Sequence, residues 1–453
     1  MPSSRVSHVF QREMKAPRLP MGQSDPISYT CKCPAAGAGG IVLLFYRYWA
    51  NTPHIPSQYL GNTKDPGELS GWHRAQMEKH SLAGKARIAC EGFNITLGGT
   101  REGIAAYISA CLVHWSFSGL PLSTSKAQDR FFKPSAGCAC VFGPDRPISV
   151  RVTAEITPMG VTGYVPADWS MIEVLSPQEF HKRCHSEADG ERILLVDVRN
   201  HYESRIGYFV SPQCGTPAVR PSIRRFSQWP LYVKRRLLRD LEAEEAAGEG
   251  SEHEPIAEKK EGRQIIAYCT GGIRCEKGVR WMQEQLGGEK VCTLQGGIAA
   301  YLAWMDEEIY AGRKQPEESL FRGRNYVFDA RGSTGLSSRT ATEPIAPCHV
   351  CQVPSDNLSK CQSKGCHLVL VACEDCNASA DPRCCPDCRG MDKGDTRQMC
   401  SCEKEREMRL WGGEQAAAMN TREDFSYLHN QGKEIDIRVR LIGGKEIIGR
   451  KSE

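Results

Sequence analysis

Gln264-Ile-Ile-Ala-Tyr-Cys269-Thr-Gly-Gly-Ile-Arg274-Cys-Glu-Lys277-Gly-Val-Arg-Trp-Met-Gln-Glu-Gln-Leu286 is the stretch on which the fold turns. Ile265 to Tyr268 form a short apolar run of the length of a buried strand. From Glu276 onward, Val279, Trp281, Met282 and Leu286 are apolar while Glu276, Lys277 and Arg280 are charged, which predicts an amphipathic helix with a solvated charged face. Between strand and helix lies a six-residue loop of Cys269, Thr270, Gly271, Gly272, Ile273 and Arg274, in which two glycines permit a tight curl. Such a loop, closing at a helix N-terminus, can aim several backbone N–H groups at one sulfur. With the helix dipole and Arg274, the Cys269 thiol is expected to ionise below its free value of roughly 8.5. A thiolate held in this way is a nucleophile, able to carry a sulfane sulfur or attack an electrophilic carbon. A cysteine at a strand end is ordinarily just a small buried residue. The order strand, Cys-x-x-Gly-x-Arg, helix is what favours chemistry here.

The chain has 453 residues, enough for two to four domains. Hydrophobic residues at 40% and charged residues at 25% are ordinary for a soluble globular protein. No apolar run approaches ~18 residues, which argues against membrane insertion. A formal net charge of +4 permits a polyanionic partner without arguing for one. Of the 22 cysteines, half lie between Cys348 and Cys402. That uneven spread, with no secretory leader, predicts an intracellular, reducing setting. Cytoplasm and an organelle (plastid or mitochondrion) both fit, because residues 1–40 read equally as a transit peptide and as a disordered leader.

Residues 41–160 alternate strand and helix. Ile41 to Tyr48 is a strand, Asp65 to Ser81 a helix capped by Asp65 before Pro66, Ala86 to Leu97 extended about a turn, and Thr100 to His114 a second helix. Ser149 to Ile156 is the last strand, and the set predicts a ferredoxin-like (acylphosphatase-like) α+β domain. Phe45, Tyr46, Tyr48 and Trp49 suit a strand core, or base stacking. Residues 168–312 read as an α/β unit, a parallel sheet with helices on both faces. Ser176, Pro177 and Glu179 form a capping box, and Ile193 to Arg199 a strand bearing Asp197 and Arg199. Residues 240–262 are an acidic insertion too poor in large apolar residues to build a core. Ahead of it, Arg220, Arg224, Arg225, Lys234, Arg235 and Arg236 are interleaved with Phe226, Trp229 and Tyr232. That mixture fits an RNA surface; a solvated basic helix balancing the insertion fits equally.

Residues 320–390 carry four cysteine pairs: Cys348 with Cys351, Cys361 with Cys366, Cys373 with Cys376, and Cys385 with Cys388. Two pairs complete one tetrahedral Zn²⁺ site, so four imply two structural zinc ions, with cross-braced and consecutive pairing both open. All-thiolate sites leave no position for catalysis. Cys384, Cys400 and Cys402 fall outside the pairs, and the tail, 391–453, suggests no function.

The Cys269 to Lys277 segment, the Asp197-x-Arg199 strand followed by Tyr202 and Glu203, and Gly296-Gly297-Ile298 together resemble the active site of the rhodanese (sulfurtransferase) superfamily. Its six-residue loops go with sulfur; phosphatase relatives have a longer one. Over roughly residues 41 to 390 the chain most resembles the rhodanese-domain tRNA uridine hydroxylases of bacteria and their eukaryotic relatives. Leu43-Leu-Phe-Tyr46, Glu91-Gly-Phe-Asn94, Leu97-Gly-Gly99, Phe321-x-Gly323, Val327-Phe-Asp329 and Cys348-His-x-Cys351 carry that likeness. The resemblance implies conversion of the wobble uridine of tRNA to 5-hydroxyuridine, with molecular oxygen as co-substrate and Cys269 adding to the pyrimidine ring. It implies that Arg274 closes the loop and supports the thiolate, and that Asp197 and Arg199 support the pocket. Cys275 either resolves a persulfide or mixed disulfide or points into helix packing. The competing functions are sulfur transfer from thiosulfate or a persulfide to a small thiol, and a zinc-stabilised binding protein without catalysis. The acidic insertion, Cys138 and Cys140, the tail and Gly278 depart from the bacterial pattern.

Overall fold

The computed structural model describes residues 40–402 and 405, apart from 52, 138–147, 162, 187–191, 238–240, 242–262, 287–289, 330, 337–342, 364, 365, 367, 380 and 391–399. The leader, Cys138 and Cys140, all of the acidic insertion except Leu241, and the tail beyond 405 therefore lie outside the described residues.

The N-terminal body runs β1 (Ile41–Tyr48), α1 (Pro66–Lys79), β2 (Ala83–Ala89), β3 (Gly92–Gly99), α2 (Arg101–Val113), α3 (Ser125–Phe132), β4 (Ser135–Ala136) and β5 (Ile148–Val152). Asp65 starts α1 by accepting from the N–H groups of Gly67 and Glu68, and Thr100 starts α2 by accepting from Gly103. The sheet order is β4-β1-β3-β2-β5. Its first four strands, with α1 and α2 as crossovers, make the βαββαβ arrangement. The strand expected from Ser149 is β5, yet it does not close that arrangement. It lies parallel to β2 on the far edge, and the closing strand beside β1 is β4. Two residues are too few to show alternation, which is why β4 is silent in the sequence. Phe45, Tyr48 and Trp49 are buried. Phe45 and Trp49 serve as core, while Tyr46 and Tyr48 face another part of the chain, Tyr48 packing against Trp169.

The second body contains β6 (Glu173–Leu175), α4 (Pro177–His185), β7 (Arg192–Asp197), α5 (His201–Arg205), β8 (Gly207–Phe209), α6 (Trp229–Tyr232), β9 (Arg263–Tyr268), α7 (Ile273–Leu286), β10 (Lys290–Leu294) and α8 (Gly297–Tyr310). The sheet, ordered β6-β10-β9-β7, is parallel throughout. Alternate strand residues feed two cores, one per face. Leu194, Val196, Ile265 and Ala267 pack with Trp229, Val279 and Met282, whereas Leu195, Ile266 and Tyr268 pack with Phe209, Tyr301 and Met305. Burial of both faces explains the near-continuous apolar runs. The capping box at Ser176 forms as expected.

α7 begins at Ile273, three residues before the helical pattern is visible in the sequence, so Arg274 and Cys275 belong to its first turn. Its charged face is not solvated. Lys277 and Arg280 are 1% and 2% exposed. The Lys277 ammonium donates to Glu91 at 2.9 Å and to Glu155 at 2.7 Å. Arg280 donates to the Trp169 carbonyl and to Glu276. The N-terminal body supplies the acidic partners, so this face is a domain interface. Gly278 serves the opposite side: a Cβ there would lie 2.8 Å from the Phe226 ring, and Trp229 donates to the Gly278 carbonyl at 2.9 Å.

A third region follows. β11 (Phe321–Gly323) pairs antiparallel with β8, and β12 (Asn325–Tyr326) with β13 (Ser333–Thr334). β14 (Leu358–Lys360) and β15 (Val369–Val371) form a hairpin, followed by short helices α9 (Glu374–Ser379) and α10 (Pro386–Gly390). Cysteines make up most of one core cluster here, together with Leu368 and Leu370.

Candidate active site

Cys269 stands at the carboxyl end of β9, on the edge of a parallel sheet where α/β folds place their ligands. The loop after it curls because Gly272 adopts φ +97°, a conformation in which a Cβ would also lie 2.7 Å from the Tyr46 hydroxyl. Gly297, at φ +63°, brings α8 in beneath: a Cβ there would be 2.2 Å from the Cys269 carbonyl. The N–H groups of Ile298 and Ala299 can thus reach the carbonyls of Cys269 and Thr270, each at 3.0 Å. Above, the Gly272 amide donates to the Cys269 sulfur at 3.1 Å. Burial alone pushes this thiol up. The hydrogen bond from the Cys275 thiol, the charge of Arg274 and the amides of Cys275 and Arg274 outweigh burial and hold Cys269 down to about 5. Burial and the adjacent Cys269 anion push Cys275 well up, so it stays protonated as the donor.

The Arg274 side chain reaches the sulfur only through its field. Its guanidinium is held by Glu203 in a two-pronged pair, both contacts at 2.7 Å, and also donates to the Thr270 hydroxyl at 3.0 Å. Burial opposes the charge of Arg274, and Glu203 holds its pKa up. Glu203 is itself fixed as the third residue of α5, where it accepts from the Asn200 N–H. Asp197 and Arg199 lie lower. Fully buried, they pair at 2.7 Å, and Arg199 donates to the Gly207 carbonyl at 2.5 Å. Asp197 is in register with Tyr268, so this pair braces the end of the strand without touching the sulfur.

The sequence reading missed a wall built by the N-terminal body. Lys133, in the left-handed conformation at φ 49°, caps α3 and sends its ammonium to the Gly271 carbonyl at 2.9 Å and over the Tyr46 ring. Burial lowers its pKa to about 8, opposed by the charges of Cys269 and Glu276. Tyr46 donates to Glu276 at 3.2 Å and Asn51 donates to it at 2.9 Å. Burial pushes the Glu276 carboxyl up. From the third region, the Phe328 ring lies 5.7 Å from the Arg274 guanidinium. Enclosed by these groups, Cys269 is 0% exposed. No sequence signal marks Lys133; its role follows from the way two domains meet.

The C-terminal cysteines fall into groups whose sulfurs lie within 4.8 Å of one another. Cys348, Cys351, Cys373 and Cys376 form one, joining the first pair to the third. Cys361, Cys366, Cys384 and Cys388 form a second, so the arrangement is cross-braced. It uses Cys384 where spacing had named Cys385. Cys385 instead joins Cys384, Cys388 and Cys400 in a third, overlapping group. His349 turns away from the sulfurs to the Cys384 carbonyl at 2.8 Å, and His367 lies outside the described residues. Four close thiols of this kind fit a tetrahedral metal.

Comparison with known proteins agrees with this architecture. The UPF0176 acylphosphatase like domain matches residues 41–136, and the Rhodanase C-terminal domain matches residues 322–389. The tRNA uridine(34) hydroxylase of Arthrobacter sp. (strain FB24) is 26% identical, covering 71% of this chain and 93% of its own. That of Staphylococcus epidermidis (strain ATCC 35984) is 27% identical, with 77% and 88% covered. Rhodanese-like domain-containing protein 6 of Arabidopsis thaliana is 27% identical over 78% of this chain, which spans only 53% of that relative's length. The chain is similar to these three proteins over 71–78% of its length. Of the segments outside the loop that carry the likeness, three reach the loop or its helix. Tyr46 touches Glu276, Glu91 pairs with Lys277, and Phe328 lies over Arg274.

The basic cluster is only partly a free surface. Phe226, Trp229 and Tyr232 are buried in the core of the α/β unit, which removes the rings expected to stack on bases. Arg224 donates to the Cys366 carbonyl and ties the cysteine-rich region to the unit. Arg220, Lys234 and Arg235 are exposed, while Arg225 and Arg236 are half-buried. Arg220 packs over Tyr208 and lines a cleft of about 420 Å³ with Arg205 and His349. Among the described residues, no helix is long and apolar enough to cross a membrane.

Proposed function

We propose that this protein hydroxylates C5 of the wobble uridine of tRNA, with Cys269 as nucleophile. The observation that carries the reading is a sulfur held down to about 5 by amides and a guanidinium, in a chain whose bacterial relatives are named for this activity. The thiolate adds to C6 of the uracil, and the C5–C6 electron pair moves toward C4, which makes C5 nucleophilic. C5 then attacks an oxygen electrophile, loses its proton, and the S–C6 bond breaks to restore the ring and the thiolate. With molecular oxygen as co-substrate, two further electrons from a donor reduce its second oxygen atom to water. Arg274 supports the anion, Thr270 to Ile273 form the cradle, and Asp197 with Arg199 fix the strand end. Because Cys269 is enclosed, a nucleobase reaches it only after the wall of Tyr46 and Lys133 moves from the loop. The exposed Arg220, Lys234 and Arg235 contribute phosphate contacts. The cysteine-rich region is a zinc-stabilised module whose ions are structural; its groups of four neighbouring cysteine sulfurs suit that metal.

Nucleoside mass spectrometry on tRNA tests this. Cells lacking the protein should lose the hydroxylated wobble uridine, regaining it with the wild type and not with Cys269→Ser. Unchanged wobble uridines in the deletion overturn the assignment. Sulfur transfer is the second reading, favoured by the contact of Cys275 with Cys269, which would let a persulfide on Cys269 be resolved. It requires cyanide-labile sulfur on the purified protein after incubation with thiosulfate.

A further inference from the structure

Two of the cysteine groups overlap. Cys361 and Cys366 share Cys384 and Cys388 with the group that contains Cys385 and Cys400. Six sulfurs therefore surround one small volume, whereas the Cys348 group holds four and overlaps nothing. A single tetrahedral zinc takes four thiolates at about 2.3 Å, which puts its sulfurs about 3.8 Å apart. Cys384 has neighbours at such distances on every side: Cys388 at 3.3 Å, Cys400 at 3.5 Å, Cys366 at 3.7 Å and Cys385 at 3.8 Å. One ion cannot serve all of them. It would leave two thiols of the cluster without a metal.

We infer that these six cysteines hold a binuclear zinc–thiolate centre. Cys361 and Cys366 are terminal ligands of one ion, Cys385 and Cys400 of the other, and Cys384 and Cys388 bridge the two. Two tetrahedra sharing an edge need six sulfurs, and the two overlapping groups provide that count and that sharing. The charges agree as well. Six thiolates around two Zn²⁺ leave the same net −2 as four thiolates around one, so the second ion neutralises the two added sulfurs. The sulfurs are too close together to enclose an inorganic sulfide core, and each gives up its proton when the ion binds. Cys384 and Cys400, which pair spacing leaves without a role, thereby become ligands. The chain carries three zinc ions, one in the Cys348 site and two in the bridged centre. This rests on the zinc reading of the module and extends it from two ions to three.

Metal content of the full chain, by elemental analysis and native mass spectrometry, is the test. Three zinc ions per chain are expected. Two would overturn the bridged centre while leaving zinc binding intact, and none would overturn the zinc reading itself. Bound iron with visible absorption would also overturn the assignment. Cys400→Ala should lower the count from three to two and Cys351→Ser should do the same at the other site; an unchanged count in Cys400→Ala sinks the bridged arrangement. Substitution with ¹¹³Cd supplies an independent readout. Two of three cadmium resonances should be coupled to each other through the shared sulfurs, and three uncoupled resonances would overturn the bridges.

Discussion

Cys269 and Cys384 are both buried cysteines, and their surroundings send them in opposite directions. Around Cys269 the positive field comes from oriented amides and a guanidinium, with one neighbouring thiol that donates to it. Around Cys384 there are four sulfurs within 3.8 Å. A lone anion in a cradle of dipoles keeps its electron pair for an electrophile. Several thiolates in contact repel one another until a cation is shared among them. The number of sulfurs within reach, more than burial, separates a reactive cysteine from a structural one.

The largest test of that contrast is metal removal. Chelation should unfold the cysteine-rich region, which forfeits binding energy of about 10–16 kcal/mol per structural site. The α/β unit should remain folded, as judged by limited proteolysis and circular dichroism. A Cys269 site that lost its alkylation behaviour along with the metal would break the separation. Next in size, Cys269→Ser should reduce hydroxylation by about 10⁴-fold or more in a protein that remains folded, measured in single-turnover assays on tRNA and by circular dichroism. Glu203→Gln leaves the buried Arg274 without a charged partner. It should cost about 3–5 kcal/mol in denaturant unfolding and weaken the cradle together with the fold. Gly278→Ala presses a methyl on Phe226 and should cost about 1–3 kcal/mol in stability.

The smallest effect sharpens the comparison most. Alkylation of Cys269 should be slow because the sulfur is enclosed, but its rate should rise with pH through a midpoint of about 5 rather than near 8.5. The folded value lies below the unfolded one. The ionised sulfur thus contributes stability that is fully present above its unfolded value and is lost as pH falls toward 5. Lys133→Met removes a cation whose charge favours the thiolate and should move the alkylation midpoint upward by about one pH unit.

Strand, loop and cradle were legible in the sequence because they are local. Apolar length marks β9, and two glycines and an arginine mark the curl. The partners of the charged face of α7 were not legible. Periodicity shows that Glu276, Lys277 and Arg280 share a face, but it carries no information about Glu91 and Glu155, which neutralise Lys277 from another domain. Nor does it place Lys133 at the loop. The last cysteine pair was legible only in part for a related reason: Cys384 and Cys385 are adjacent, pair spacing picks out only Cys385, and both are grouped with Cys388. The pairing of the first cysteine pair with the third, left open by spacing, depends on the β14–β15 hairpin that lies between them.

Lys133 and Gly271 are 138 positions apart in the chain and 2.9 Å apart in space. A gene fragment encoding only the α/β unit would therefore keep the groups that hold the sulfur's pKa down and lose one further cation beside the loop. Grafting the loop onto another scaffold would carry Cys275, Arg274 and their amides along and leave behind Glu203, which holds the guanidinium, and the cation of Lys133.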